Sequence, residues 1–449
     1  MSNTDLKPYR IMLAGAGDRG QGYMKWIRQN PGSMELTALA DPIPSRREIL
    51  SDKHKLPESQ CFEDWKDMLT AGIEADAVII STQDNQHLEP AQAFLEKGYH
   101  VLLEKPMAVD IDSIKKIQKA AEKSEGTLTV CHVLRYDPLF RKIKDICDSG
   151  SLGKIQSMYH AENVSWYHYV HSYVRGNWRN SKESSPLILA KSCHDLDLIQ
   201  WMMPGNAASI LSTAQRSVFV ENLDRPERCS PSCPEYSSCK FEAEKTYLYG
   251  RSMKLALSRL PGLFGLAGKV MYHYPDLSRN LPILKKYHFW KDWPTSTISD
   301  DLSPGGVRKA LETGPYGRCV YRCDNDQPEH WESIIEFDSG ASAVFRLHGM
   351  SREEGRTLRI DGTEGTLDAK FGNTHELSLT FHDGSPSEAY SFDSGALGHS
   401  GADSALMDDW FNVLKGSDPQ SPASVSALSH YMAFAACEAW ETGKKVSFE

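Results

Sequence analysis

The sequence predicts an α/β chain of two domains, a doubly wound parallel sheet at the N-terminus followed by a mixed α+β domain. Three observations predict it. Residues 9–29 read as strand, glycine turn and amphipathic helix; strand and helix patterns then alternate to about residue 132; and 449 residues are long for one hydrophobic core.

Tyr9–Ala14 (YRIMLA) is the first strand, and Gly15-Ala16-Gly17-Asp18-Arg19-Gly20 follows it at once. Gly15 permits the turn, Gly17 lets backbone approach a pyrophosphate, and Gly20 lets the helix pack closely on the strand. The helix N-terminus, with Asp18 and Arg19 in its first turn, offers N–H groups and a positive dipole end to phosphates. Glu35–Ala40 is the second strand and ends at Asp41, which is spaced to meet the ribose hydroxyls or else to cap the loop. A carboxylate there favours NAD over NADP, a preference that Arg46 and Arg47 soften. Asp76–Ser81 and Tyr99–Leu103 are further strands, with a helix over His87–Lys97 between them. A helix over Asp110–Lys123 and a strand over Leu128–His132 complete the alternation. Ligands bind such sheets at the carboxyl ends of the strands, where Asp41, Thr82, Glu104 and His132 stand. Asn85 and His87 follow the third strand, either as cofactor contacts or as helix caps.

Composition sets limits on function. A formal charge of −10 opposes a phosphate backbone as partner, so no nucleic acid is expected. The longest apolar runs, such as Ala75–Ser81, are too short to cross a bilayer, and no membrane partner is expected. Met1–Arg10 is polar and lacks the apolar core of a signal peptide, which gives a cytoplasmic expectation.

The glycine turn, Asp41, Glu104-Lys105-Pro106 after a strand, and His194-x-x-Asp197 together resemble the glucose-fructose oxidoreductase / inositol dehydrogenase / MocA family. The resemblance spans nearly the whole chain. It implies a Rossmann domain over residues 1–135 and, over 136–449, a domain built on an open, largely antiparallel sheet that carries substrate and an oligomer interface. It places Lys105 against both cofactor and substrate, and His194 as the family's histidine near a helix start. By the same resemblance Asn177-Trp178-Arg179 meets the cofactor, and Gly398–Asp403, with His399, opens a C-terminal helix that returns to the site. One departure stands out. Inositol dehydrogenase-type members carry an aspartate four residues before the histidine, where this chain has Ala190 followed by Lys191.

Oxidising a secondary alcohol needs a group that takes the hydroxyl proton while hydride leaves carbon. A single helix over Leu187–Met202 would set Lys191, His194 and Asp197 along one face. On that reading His194 is the acid/base, with Lys105 and Lys191 polarising the substrate oxygen. The alternatives are a buried core histidine and a solvated lysine. Tyr136 reaches the cleft or packs in the core. Trp166-Tyr167-His168-Tyr169 stacks on a sugar ring, or else is a strand facing the core.

Residues 218–329 interrupt the second domain, before strands resume at Trp331–Phe337, Ala341–His348, Thr357–Ile360 and Leu377–Phe381. An irregular insertion of this length suggests a lid or a substrate wall. It holds Cys229, Cys233 and Cys239, and later Cys319 and Cys323, which read as a structural zinc site, as packed thiols or as disulfides. Three functions remain. One is NAD-dependent dehydrogenation of a sugar, glycoside or cyclitol hydroxyl. Another is redox-assisted elimination at the same site with no net NADH. The third is an NAD-binding regulator without catalysis.

Overall fold

The computed structural model describes residues 7–260, 262–392 and 400–448. Strands β1 (Tyr9–Ala14), β2 (Met34–Ala40), β3 (Cys61–Phe62), β4 (Ala77–Ile80), β5 (His100–Leu103) and β6 (Leu128–Val130) form one parallel sheet, in the order β3-β2-β1-β4-β5-β6. Helices α1 (Asp18–Gln29), α2 (Pro44–His54), α3 (Trp65–Thr70), α4 (Leu88–Glu96) and α5 (Ile111–Lys123) connect them. All four residues of β4 are buried, as expected for a strand covered on both faces, and the order reverses between β1 and β4. That reversal opens a crevice at the strand ends.

The second domain begins with α6 (Pro138–Ser149), β7 (Ile155–Ser165), α7 (Trp166–Tyr169), α8 (Leu187–Ala190), α9 (Cys193–Met202) and β8 (Ala207–Gln215). After the insertion come β9 (His330–Phe337), β10 (Ser342–Ser351), β11 (Gly355–Gly362), β12 (Gly365–Phe371), β13 (His375–Phe381), β14 (Glu388–Phe392) and, at the chain's end, β15 (Val446–Ser447). They form a sheet of order β14-β13-β12-β11-β7-β10-β9-β8-β15, antiparallel at every pairing except β7 with β10. One face is core, lined by Ile335, Ala343, Phe345 and Ile360. The other leaves a row of partly exposed apolar side chains across four strands, Tyr159–Val344–Ile334–Leu211 in register.

Three local expectations are corrected. The helix over Leu187–Met202 is broken: α8 ends at Ala190 and α9 starts at Cys193, so Lys191 and His194 do not share a helix face. Trp166–Tyr169 is a short helix running into a wider turn over Val170–Arg175, not a strand. The insertion is helical over much of its length, with α10 (Arg251–Leu257), α11 (Gly262–His273), α12 (Pro275–Asn280), α13 (Pro282–Lys285) and α14 (Pro304–Thr313).

The C-terminal helices α15 (Ser400–Leu414) and α16 (Ala423–Thr442) join the two domains. Leu406, Met407 and Trp410 enter the core that holds Ile11, Leu13 and Tyr23. In α16, Ala423 and Ala427 pack with the parallel sheet, while Met432, Ala433 and Ala436 pack with the substrate domain. Small side chains let one helix lie close to both. Among the described residues no helix is long and apolar enough to cross a membrane.

Candidate active site

The glycine turn is shaped by close backbone approach. Gly15 has φ +96°, and a Cβ there would lie 2.5 Å from the Ser81 carbonyl oxygen. A Cβ on Gly20 would lie 2.2 Å from the Gly15 oxygen, so α1 is seated directly on the turn. A Cβ on Gly17 would meet only Arg46 Nη1, at 3.8 Å, leaving that side open. The N–H groups of Asp18, Arg19 and Gly20 open α1 without carbonyl partners inside the helix. An open glycine face beside a free helix N-terminus fits a dinucleotide pyrophosphate.

Asp41 takes the loop-capping role, one of the two expected of it. Its carboxylate is buried, accepting from Ala16 N–H (2.7 Å) and Ile43 N–H (2.9 Å), and so ties the glycine turn to the end of β2. Arg46, 3.9 Å from Asp41, is the charged group nearest the open face of Gly17.

At the far end of the crevice Lys105 follows β5 on a loop held by several ties. Glu104 is buried and accepts from Arg19 Nε (2.5 Å) and from the Tyr23 hydroxyl; Arg19 also grips Asp403 of α15 at 2.9 and 3.0 Å. Burial works to raise the Glu104 carboxyl, but Arg19 and Tyr23 outweigh it and hold it below the ordinary range. The Arg19 and Glu104 side chains thus form an ion pair that anchors the loop. His87 stands at the N-cap of α4 and is buried, with Nδ1 2.7 Å from the Pro106 oxygen and Nε2 3.2 Å from the Thr82 oxygen. Thr82 Oγ1 faces the Gln86 oxygen (3.4 Å), and Asn85 donates to the Glu183 oxygen. Met107 N–H donates to His430 Nε2 (2.8 Å) on α16.

So fixed, Lys105 reaches across the domain boundary, and its Nζ donates to the Ala190 carbonyl at 2.8 Å, at the α8–α9 break. His194, the second residue of α9, lies with its ring 5.8 Å from that of His132, which follows β6, and the His430 ring lies 5.9 Å from that of His132. Burial, only partly offset by Asp197, lowers the His132 imidazole to about 4, and burial lowers His430 to about 3, so both stay neutral. Asp197 forms a two-pronged buried pair with Arg135, at 2.6 and 2.8 Å.

Lys191 turns instead toward the substrate sheet, 3.4 Å from Glu162 on β7 and 3.5 Å from Glu354 before β11. Burial works to lower its ammonium, but Glu162 and Glu354 outweigh it and keep Lys191 charged. Arg356 bridges Glu162 and Asp195, and His160 Nε2 lies 2.7 Å from Asp195. Three carboxylates therefore share two fixed cations. Burial, reinforced by Asp195 and Glu354, pushes Glu162 up to about 8, against the pull of Arg356 and Lys191. Glu354 also accepts from Ser165 N–H (2.8 Å) and faces His168 Nδ1 (2.8 Å).

The insertion packs against this region. Trp293 packs edge-on to His168 (5.3 Å) and near Tyr167 (6.4 Å), and Tyr316 stacks on His171 (4.9 Å). Tyr136 is not in the cleft; its ring is buried in the Rossmann core, and its hydroxyl donates to Asp409. Trp178 Nε1 donates to Asp84 (2.9 Å), which joins the domains, while Arg179 pairs with Glu183 and Asp324. Neither contact is with the glycine turn. His399 lies outside the described residues.

Cys229, Cys233, Cys239 and Cys319 line one small cavity, yet among the described residues no three or more His, Cys, Asp or Glu side chains are placed to hold a metal. All ten cysteines are free. Cys229 Sγ accepts from Arg175, and burial pushes the Cys239, Cys319 and Cys323 thiols up, toward the neutral form. Packed thiols describe the cluster, and the zinc expectation is not supported.

Sequence reading missed Glu162, Glu354, Arg356, Asp84 and His430. No motif marks them, since each acquires its neighbours through strand pairing or domain docking. The one available signal was Arg356, a charge directly before the Thr357–Ile360 run that otherwise reads as strand.

A dinucleotide-shaped crevice joined to a polar cluster at the junction with an open sheet defines a two-domain, nucleotide-dependent oxidoreductase. Comparison with known proteins agrees. Residues 9–132 match the model of an oxidoreductase family with an NAD-binding Rossmann fold, and residues 140–227 match the GFO/IDH/MocA C-terminal domain. The chain belongs to the Gfo/Idh/MocA oxidoreductase family. It is 24% identical over 406 residues to YteT of Bacillus subtilis, an oxidoreductase by name, covering 86% of this chain and 83% of that one. It is also 24% identical over 205 residues to inositol 2-dehydrogenase of Rhizobium meliloti, covering 46% of this chain and 58% of the relative. The solved structure of levoglucosan dehydrogenase with NADH has the same fold, with a TM-score of 0.68 at 14% identity, covering 99% of this chain and all of the other.

Proposed function

We propose that this oxidoreductase acts on a secondary hydroxyl of a sugar, glycoside or cyclitol, with NAD as the redox partner. The observation that carries the reading is the Lys105 Nζ to Ala190 contact, which brings the loop after β5 onto the segment leading into His194. Nicotinamide bound with its pyrophosphate over the Gly15–Gly20 turn supplies a two-electron hydride acceptor. Lys105 holds the substrate oxygen by its ammonium, in exchange for the Ala190 carbonyl, and stabilises developing alkoxide. His194 takes the hydroxyl proton as the carbon gives up hydride. Lys191, kept charged by Glu162 and Glu354, steadies a second hydroxyl, and the His168–Trp293 wall gives a ring face to pack on. Inositol and levoglucosan, the compounds named in two of the relatives, are polyhydroxylated rings of this class.

Redox-assisted elimination is a second reading, favoured by Glu162. This chemistry needs a further group to take a C–H proton, and Glu162, 3.4 Å from Lys191 and with its carboxyl raised to about 8, would do so in its ionised form. The in-register row Tyr159–Val344–Ile334–Leu211 supports a homo-oligomer formed through the open sheet face.

The test is to incubate the protein with NAD and a panel of sugars, cyclitols and aryl glycosides, following both NADH absorbance and aglycone release. Stoichiometric NADH supports dehydrogenation, and aglycone release without net NADH supports elimination. Silence in both, with NAD bound, refutes catalysis on this class. The variant His194→Ala is expected to lose turnover by at least about a hundredfold while keeping NAD affinity. A large loss of NAD binding instead would remove His194 from the proton-transfer role.

A further inference from the structure

We infer that the helical insertion docks on an anionic lipid surface through residues 262–287, with α11 and the α12–α13 segment lying in the plane of the headgroups. Two independent observations carry this.

The first is exposed apolar surface. Leu263 is 83% exposed, Phe264 77%, Leu266 60%, Tyr274 63%, Leu277 52% and Ile283 81%. Elsewhere on the described surface most exposed large apolar residues sit near 40%, as in the sheet row Tyr159–Val344. The orientation is built in. Gly265, Gly268 and Met271 form the inner face of α11, and a Cβ on Gly265 would lie 1.8 Å from the Leu260 oxygen. Glycine therefore seats the helix against α10, while its largest side chains, Leu263, Phe264 and Leu266, face outward. In water that arrangement is unfavourable by the transfer cost of each side chain.

The second is charge. Residues 251–291 contain eight lysines and arginines and a single acid, Asp276, in a chain whose overall charge is −10. Lys269, Arg279, Lys285 and Lys286 are exposed beside the apolar residues. Apolar and aromatic side chains interleaved with cations on short helices make an interfacial docking surface, because the rings and aliphatics enter the headgroup boundary while the cations meet lipid phosphates. With 12 residues α11 is far too short to span a bilayer. A second copy of the chain is the poorer occupant, since a two-fold contact would bring two strongly basic patches together. The overall negative charge conceals this segment at the level of composition.

The attachment has a consequence for the active site. Ten residues past Ile283, the same insertion places Trp293 against His168, so docking would hold the aromatic wall of the cleft close to the bilayer.

The experiment is flotation of the full-length protein with vesicles of phosphatidylcholine alone and of phosphatidylcholine mixed with phosphatidylglycerol. Binding to the mixed vesicles only, lost at high salt where the Debye length falls to about 3 Å, is expected. The double variant K285Q/K286Q should lower partitioning about thirtyfold, at roughly fivefold per cation near the surface. The variant L263S/F264S/I283S should abolish flotation without changing the thermal midpoint, since these side chains are exposed. Equal binding to both vesicle types, or no flotation, overturns the proposal. So does a concentration-dependent dimer that L263S/F264S/I283S dissociates, because the patch would then belong to a second copy.

Discussion

Replacing Gly17 by alanine separates cofactor recognition from folding. Gly17 is the N-cap of α1, with φ −69° and ψ −169°, a conformation open to any residue, so alanine brings no backbone strain. Its methyl group would find no neighbour closer than Arg46 Nη1 at 3.8 Å, so it clashes with nothing in the free protein. The stability change should stay within about 0.5 kcal/mol. A bound pyrophosphate must approach the same backbone to about 3 Å to accept the N–H groups of the first turn, and the methyl group stands in that approach. NAD affinity should fall at least about tenfold, or about 1.4 kcal/mol. Gly20→Ala is the contrasting variant: its Cβ would lie 2.2 Å from the Gly15 oxygen, so the turn itself must shift and the thermal midpoint should drop. Isothermal titration with NAD and thermal unfolding of the free protein measure the two effects. Wild-type NAD affinity in Gly17→Ala, with the fold intact, would refute the placement of the pyrophosphate over this turn.

Two further outcomes follow from the buried charges. Asp197→Asn leaves the Arg135 guanidinium buried without its carboxylate, at a cost of about 3 kcal/mol; an unchanged urea midpoint would show that the pair does not join the domains. Acid sensitivity should come from the neutral buried histidines. His430 is held to about 3 with Nε2 accepting from Met107 N–H, so the unfolded chain protonates first as pH falls below 6.5. The stability this provides is fully present above about 6.5 and is lost progressively as pH falls toward about 3, with pH 6.5 to 4 the measurable window. His430→Gln, which cannot protonate, should flatten the loss over that window by about 3 kcal/mol. Glu162, raised to about 8, acts with the opposite sign: its contribution is fully present below the unfolded value near 4.5 and declines as pH rises toward 8. A stability profile measured by denaturant unfolding from pH 4 to 9 that stays flat would remove both groups from these roles.

The parallel sheet was legible because its signals are local. Hydrophobic runs of strand length, the Gly15–Gly20 turn and the helix patterns between them can be read within about a dozen residues, and β1, β2, β4, β5, α4 and α5 fall within a residue or so of the expected bounds. The single helix over residues 187–202 failed for the converse reason. Its periodicity is helical throughout, but docking against Lys105 and the Glu162–Glu354 pair breaks it at Lys191-Ser192. Strand β7 went unread because its buried charges, His160 and Glu162, spoil the pattern that marks a strand.

By itself, the sequence determined the nucleotide-binding half and its glycine turn, since these depend on neighbours along the chain. Only the tertiary structure decided what each polar group does. Arg19 meets an aspartate 384 residues away, Lys105 a carbonyl 85 away, and Arg356 a carboxylate 161 away. A charge buried on folding takes its partner from whatever element the sheet and the domain interface bring within about 3 Å, and no spacing along the chain encodes that distance.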